Sequence, residues 1–361
     1  MLYPRTSETR EVKTLNGLWK FRIDPGTQGF TEEWYGAPLA ASIPMPVPAS
    51  FNDLTQDGLL REHVGWVWYE LEEYVPASWR ELHVVLRFDA VAHRAEVYLN
   101  GRHVMQNTGG FLPFEIPVSS LLRYGEKNRI TVAVSNELDW DILPPGEKSV
   151  ELQTPGFPPR RLQEYYFDFF NYAGIHRPVR LLAMPPDHLA DLNISPGFAA
   201  GRGVLEYEAD VYGKGALAAV LEGPDGKEIS RFTGNKVSAA IPGIKPWKPG
   251  APSLYTLTFT LTQGAHVRDV YRLTTGFRSV NIQGDALLIN DEPFYFKGFG
   301  KHEDMDIRGR AFDEALLVKD FNLLGWIGAN SFRTSHYPYS EETLQLADEL
   351  GFALSLIHIS E

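Results

Sequence analysis

Apolar and polar residues alternate in short runs along residues 84–136, as in VVLRF at 84–88, AEVYL at 95–99 and ITVAV at 130–134. A period of two sends successive side chains to opposite faces, so each run predicts a strand with one face toward a core. Asn100 and Gly101 separate the second run from Arg102, His103 and Val104, and an Asn-Gly pair suits the two positive φ angles of a tight hairpin. Gly125, Glu126, Lys127 and Asn128 read as the turn before the third run. Short strands at this spacing predict an all-β sandwich, and no convincing helical period appears before residue 300.

A second block repeats the pattern after Met184, Pro185 and Pro186. Strands are expected at 204–211, 216–221 and 254–261, with Asp225-Gly226 as a hairpin turn and 246–252 as a loop. Roughly 90 residues of this kind fit an immunoglobulin-like sandwich.

The pattern then changes. FYFKGF at 294–299 reads as a buried strand, and residues 312–329 carry Leu316, Leu317, Phe321, Leu323, Leu324 and Ile327 at helical spacing. Residues 330–336 read as a second strand. Ser340, followed by Glu341, Glu342, Leu344, Leu346, Ala347 and Leu350, predicts an N-capped amphipathic helix closed by Gly351, with a third strand from Phe352. Strand, helix, strand, helix, strand is how a (β/α) barrel opens. A full barrel takes about 250 residues, so the stretch from Phe277 to Glu361 is expected to hold only its first units. The expected fold is multidomain, β plus α/β.

Charge narrows the partners. The net charge of −12 argues against nucleic acid or an anionic membrane, both of which need clustered Lys and Arg. With no cysteine there is no disulfide framework and no thiolate site. Residues 1–17 hold no long apolar run, and no stretch is long enough to span a bilayer, so a cytoplasmic protein is expected. Aromatic residues, at 12%, supply faces that can stack on sugar rings.

Three segments carry candidate chemistry. Asn330, Ser331, Phe332, Arg333, Thr334, Ser335, His336, Tyr337 and Pro338 end a strand in polar groups at the mouth of a barrel, where that fold binds its substrates. Arg333 fits equally an ion pair bracing the barrel or a direct substrate contact. His302, Glu303 and Asp304 end the first barrel strand; adjacent residues rarely converge on one ion, so a metal cluster is the lesser reading. FDFFNYAGIHR at 167–177 is an aromatic loop whose Asp168 can accept hydrogen bonds from sugar hydroxyls, or cap a turn in a self-packed loop.

The run 330–338, continuing through Asp348 and Gly351, closely resembles the first signature of the family 2 glycoside hydrolases, and GFGKHED at 298–304 is similar to another of that family's patterns. GIHRPV at 174–179, GGFLPF at 109–114, WKPG at 247–250 with Leu254 and Tyr255, and GFRSV at 276–280 resemble general landmarks of the family. DFFNYA at 168–173, NGLWKF at 16–21, VPASFND at 47–53 and VWY at 67–69 resemble its β-glucuronidase branch.

The resemblance covers residues 1 to about 353. It implies a jelly-roll sugar-binding domain at 1–182, an immunoglobulin-like sandwich at 183–276 and the start of a truncated TIM barrel at 277–353. The implied parent activity is hydrolysis of β-D-glucuronides with retention, with Asp168, His302 and His336 binding substrate and Asn330, Arg333 and Tyr337 in support. Both catalytic Glu residues, and the Asn and Lys that grip the sugar carboxylate, belong to later barrel strands. No residue here is expected to be catalytic, and the chain alone is expected to be inactive. No cofactor or metal is implied; the parent is expected to be a homo-oligomer. Another family 2 glycosidase, of β-galactosidase or β-mannosidase type, and a non-enzymatic carbohydrate-binding module are the alternatives. The tail 354–361 resembles the translation of a transposase-end sequencing adapter, although its apolar character also suits a natural third strand.

Overall fold

The computed structural model describes residues 1–155 and 160–355. By contact density they divide into two compact units. One comprises Lys13–Leu182 with Glu303–Asp313; the other comprises Met1–Val12, Ala183–His302 and the chain from Glu314 onward.

In the first unit the period of two becomes a sandwich. A six-stranded antiparallel sheet runs in the order Ile43–Val47, Gly17–Asp24, Trp66–Val75, Glu126–Ser135, Arg94–Leu99 and Arg102–Thr108. A four-stranded sheet runs Glu11–Thr14, Val179–Met184, His83–Phe88 and Phe114–Pro117. Trp19 and Phe21 are buried while Leu18 and Lys20, which alternate with them, are exposed. Phe21 meets Tyr69 edge-on at 4.9 Å, the geometry that ring quadrupoles favour, and Phe51 at a tilt at 5.6 Å.

The other face of the six-stranded sheet is also covered. Leu39, Trp68, Tyr98 and Ala133 form a small second core, roofed by Phe30, Trp34, Tyr35 and Trp66. The helical turn Gln28–Thr31 lies against Trp68 so closely that a Cβ on Gly29 would stand 2.3 Å from the indole nitrogen. The Asp24 carboxylate accepts from the backbone N–H groups of Gln28 and Gly29 and from the Trp68 indole. It thereby satisfies donors that the start of a helical turn leaves open.

The Asn100-Gly101 turn has the expected left-handed angles, φ 53° and 84°, and brings Leu99 opposite Arg102. The expected turn at 125–128 is shorter than read. Gly125 alone takes a positive φ, and Glu126, Lys127 and Asn128 already pair with Val75, Tyr74 and Glu73. Polar composition marked the exposed end of a long strand there.

The second block forms two antiparallel sheets: His188–Ala199, Arg202–Tyr212 and Lys236–Ile241 in one, Glu228–Thr233, Ala216–Glu222, Tyr255–Gln263 and His266–Thr275 in the other. Between them lie Leu189, Leu205, Tyr207, Leu217, Leu221, Leu257, Phe259 and Phe277. Seven strands in two sheets are the immunoglobulin-like arrangement. The arm Met1–Val12 belongs to this unit and inserts a charge into it. Arg10 binds Asp269 in a fork, at 2.9 and 2.5 Å, and donates to the Leu189 carbonyl at 2.6 Å. Asp269 also accepts from Leu189 N–H and the Thr9 hydroxyl. Burial alone would raise the Asp269 pKa, but Arg10, Leu189 N–H and the Thr9 hydroxyl together hold the carboxyl below its ordinary value.

The same unit carries the opening of the barrel. Strands Gly298–Lys301, Ser331–Thr334 and Ala353–Ser355 are parallel neighbours in that order, with helices Glu314–Trp326 and Glu341–Leu350 between them in sequence. Ser340 caps the second helix by accepting from Thr343 N–H at 3.3 Å, and Gly351 closes it at φ 76°. No helix among the described residues is long and apolar enough to cross a membrane.

The first barrel strand departs from expectation. It begins at Gly298, not Phe294, and is exposed: Tyr295 and Phe296 precede it uncovered, and Phe299 is half exposed. Among the described residues the strand pairs on one side only, with Ser331–Thr334, and an open edge cannot bury an apolar run. The first helix is likewise shorter than the expected 312–329. Leu354 and Ser355 continue the third strand; residues 356–361, the rest of the expected adapter tail, lie outside the described residues.

Candidate functional site

Parallel pairing brings the C-terminal ends of two barrel strands together. Lys301 pairs with Thr334, and Ser335 N–H donates to the Lys301 carbonyl at 3.2 Å, so His302 and His336 leave their strands side by side. Their ring centroids are 6.0 Å apart, and His302 lies 5.9 Å from the ring of Tyr337. Tyr337 is buried and stacks on Tyr339 at 5.3 Å. His336 adopts φ 76° and donates its N–H to the Thr334 carbonyl. A non-glycine residue pays steric strain in that conformation. Behind them Lys301 reaches Asp320 on the first helix at 2.8 Å, fixing strand against helix.

The supporting residues divide. Asn330 stands at the opposite end of its strand from His336. Its side chain accepts from Lys297 N–H at 2.8 Å and donates to the Tyr295 carbonyl at 2.9 Å, latching the N-terminal ends of two strands. Arg333 lies in mid-strand opposite Gly300. Its Nε is buried without a hydrogen-bond partner, and it makes no ion pair among the described residues, so the bracing salt bridge is not found there.

Asp168 belongs to the other unit. Along residues 161–170 the odd positions turn inward and the even positions outward. Tyr165, Phe167 and Phe169 stack successively at 4.4 Å and 4.4 Å, nearly parallel. That ladder directs Asp168 outward between the exposed rings of Tyr166 and Phe170. The loop continues into polar anchors: Asn171 meets His93 at 2.7 Å and the Tyr172 hydroxyl donates to Asp53 at 2.7 Å.

Beneath the ladder lies a buried polar group that the sequence did not single out as a unit. Arg310 sits over the rings of Phe169 and Phe111, at 4.8 and 5.4 Å, and donates to the Phe170 carbonyl. Arg177 binds Glu303 at 2.8 Å and the Phe111 carbonyl at 2.8 Å. His93 and His176 flank Phe111. Burial pushes the pKa of His93 down to about 4, and burial with the nearby Arg177 and Arg310 pushes that of His176 well below its ordinary value. Both imidazoles are therefore neutral across ordinary pH. His176, Arg177 and Glu303 were visible in quoted motifs, but only the fold places them around Phe111.

Two carboxylates that follow the first barrel strand are paired: Glu303 with Arg177 and Asp304 with Arg310 at 3.3 Å. Among the described residues no three or more of His, Asp and Glu converge as ligands for a metal ion.

Family profiles match the chain in order: "Glycosyl hydrolases family 2, sugar binding domain" at 12–185, "Glycosyl hydrolases family 2" at 188–278 and "Glycosyl hydrolases family 2, TIM barrel domain" at 280–356. A β-glucuronidase of Paenibacillus borealis is 45% identical over 98% of this chain and 60% of its own length. One of Rattus norvegicus is 43% identical over 98% of this chain and 58% of its own. Among solved structures, a β-glucuronidase of an uncultured Clostridium sp. aligns with TM-score 0.91 at 43% identity, covering 99% of this chain and 60% of that one. The β-glucuronidase of Ruminococcus gnavus in complex with D-glucuronic acid aligns with TM-score 0.94 at 38% identity, covering 98% and 61%. The chain thus spans about three fifths of the length of the relatives it matches.

Proposed function

Because the chain belongs to the glycosyl hydrolases of family 2, we propose that it is the substrate-recognition part of a β-glucuronidase, whose whole protein hydrolyses β-D-glucuronides with retention. The observation that carries this reading is the match to named β-glucuronidases along 98% of the chain, sandwiches and barrel opening alike. In the proposal residues 1–182 form the sugar-binding sandwich, 183–276 the immunoglobulin-like sandwich and 277–353 the barrel opening, and the whole protein is a homo-oligomer.

Asp168 is proposed to accept hydrogen bonds from sugar hydroxyls, while His302 and His336 line the pocket and Tyr337 braces them. The stacked ladder at Tyr165, Phe167 and Phe169 supports the first role by holding Asp168 outward. The paired strand ends support the second. Arg333 offers a buried donor on the same strand, and Asn330 acts only as a latch on the strand ends.

Retention requires two carboxyl groups about 5–5.5 Å apart, one as acid/base and one as nucleophile. Both are proposed to lie on later barrel strands than the three described here, so the chain alone is proposed to be inactive. The carboxylates that follow the first barrel strand are already committed to Arg177 and Arg310.

Saturation-transfer NMR with D-glucuronic acid tests the reading. Binding is expected, and Asp168→Ala should weaken it about tenfold or more, the size of one hydrogen bond to a charged group. Equal signals from wild type and variant would remove Asp168 from the site. Release of 4-nitrophenol from its β-D-glucuronide by this chain would overturn the proposed inactivity.

A further inference from the structure

The outward face that carries Asp168 also carries Tyr166, two residues earlier, or about 6–7 Å along an extended backbone. Tyr166 is 65% exposed, and so is the ring stacked on it: Trp140, 62% exposed, with centroids 6.2 Å apart and planes within 24°. Two large aromatic rings left in water are costly unless something covers them.

Their exposure is built in, because the loop beneath them is held at several points. Leu138 and Ile142 bury their side chains on either side of Trp140. Gly146 N–H donates to the Asp139 carbonyl and Glu147 N–H to the Glu164 carbonyl. Gln163 donates to the carbonyls of Leu138 and Glu147, and Arg94 binds Asp139 at 2.5 Å. A loop tied at these points thus carries Trp140 outward.

Charge decides what the pair can take. The Glu147 carboxylate accepts from the Trp140 indole at 3.4 Å and from the Tyr166 hydroxyl at 3.4 Å, so an anion stands at the polar edge of both rings. A negatively charged uronic acid would be repelled there, whereas a neutral flat ring would stack on the apolar faces.

We infer that Trp140 and Tyr166 form a stacking platform for the neutral aromatic aglycone of a glucuronide whose sugar is held at Asp168. The inference rests on the proposed role of Asp168 and adds the class of leaving group that the same site prefers. One aromatic stack favours an aryl over an alkyl glucuronide by about 2- to 12-fold.

The test follows the indole N–H signals of the 15N-labelled chain, with that of Trp140 assigned by its loss in Trp140→Phe. Methyl and 4-nitrophenyl β-D-glucuronide are each titrated to about 10 mM, enough to register a millimolar Kd. The Trp140 signal is expected to move with the aryl compound and not with the methyl one, and Tyr166→Ala should reduce the aryl response. A signal that moves with neither compound overturns the platform. One that moves equally with both overturns the aglycone assignment, since the sugar itself would then be the stacked ring. If the aryl response survives in Asp168→Ala while sugar binding was never dependent on Asp168, the platform stands and the Asp168 reading falls.

Discussion

The sandwich around Trp19 and the opening of the barrel draw on the same residue types and end in opposite states. In the sandwich, Trp19, Phe21, Phe51, Trp68, Tyr69 and Phe88 are all fully buried. In the barrel opening, Trp326 is 83% exposed, Tyr295 is 78% exposed, and Ile327, Val318 and Phe299 are about half exposed. A groove of about 940 Å³ runs among Tyr295, Val318, Phe321, Trp326 and Phe352. Both regions carry large apolar residues at the spacing that their own elements require. What differs is closure: the inner sandwich faces meet across their cores and a turn covers Trp68 on the outer side, while the described barrel strands form an open row of three. Hydrophobic periodicity predicts an element, but burial requires a partner surface.

If closure is what separates them, damage inside a sandwich should cost far more than damage to the barrel opening. Arg10→Ala should have the largest effect. It strands the buried Asp269 carboxylate without its cation, and such losses run to about 3–5 kcal/mol. Chemical denaturation should show this as a shifted midpoint with unchanged slope; a shift under about 1 kcal/mol would mean that water replaces the arginine.

Acid should weaken the first unit next. His93 has an unfolded pKa of 6.5 and a folded one of about 4. Above pH 6.5 both states are neutral and its contribution is intact. As pH falls through that window only the unfolded chain takes up the proton, so stability declines by about 3 kcal/mol, and His176 acts in the same direction. His93→Gln should flatten the profile between pH 6.5 and 4; an unchanged slope would assign it to other groups.

Trp326→Ser should have the smallest effect on stability, within about 0.5 kcal/mol, because the indole has little packing to lose. It should nevertheless raise solubility, since exposed apolar surface promotes association. A loss of several kcal/mol would show that the barrel opening is covered in solution.

The same contrast explains what could be read in advance. The Asn100-Gly101 hairpin, the Ser340 cap and the Gly351 stop were legible because each depends on a few adjacent residues. The strand starting at 298 was read four residues early, and as buried, because an apolar run carries no information about whether a neighbour faces it. His302 and His336 were legible as strand ends, and parallel pairing brings them together. The cluster around Phe111 was not. His93, His176, Arg177, Glu303 and Arg310 come from distant stretches of the chain, and no local period joins them. Asp168 falls between: its aromatic surroundings were visible, but its outward aim depends on the stacked ladder.

The arm at Met1–Val12 gives the protein a schedule. Arg10 is made early, yet its carboxylate partner lies 259 residues further along. At about 5–20 residues per second the ribosome needs roughly 15–50 s to supply it. During that interval the jelly-roll strands, Glu11–Thr14 among them, can pair among themselves while Arg10 waits for its partner. The Arg10–Asp269 contact is thus among the last that the immunoglobulin-like sandwich can make.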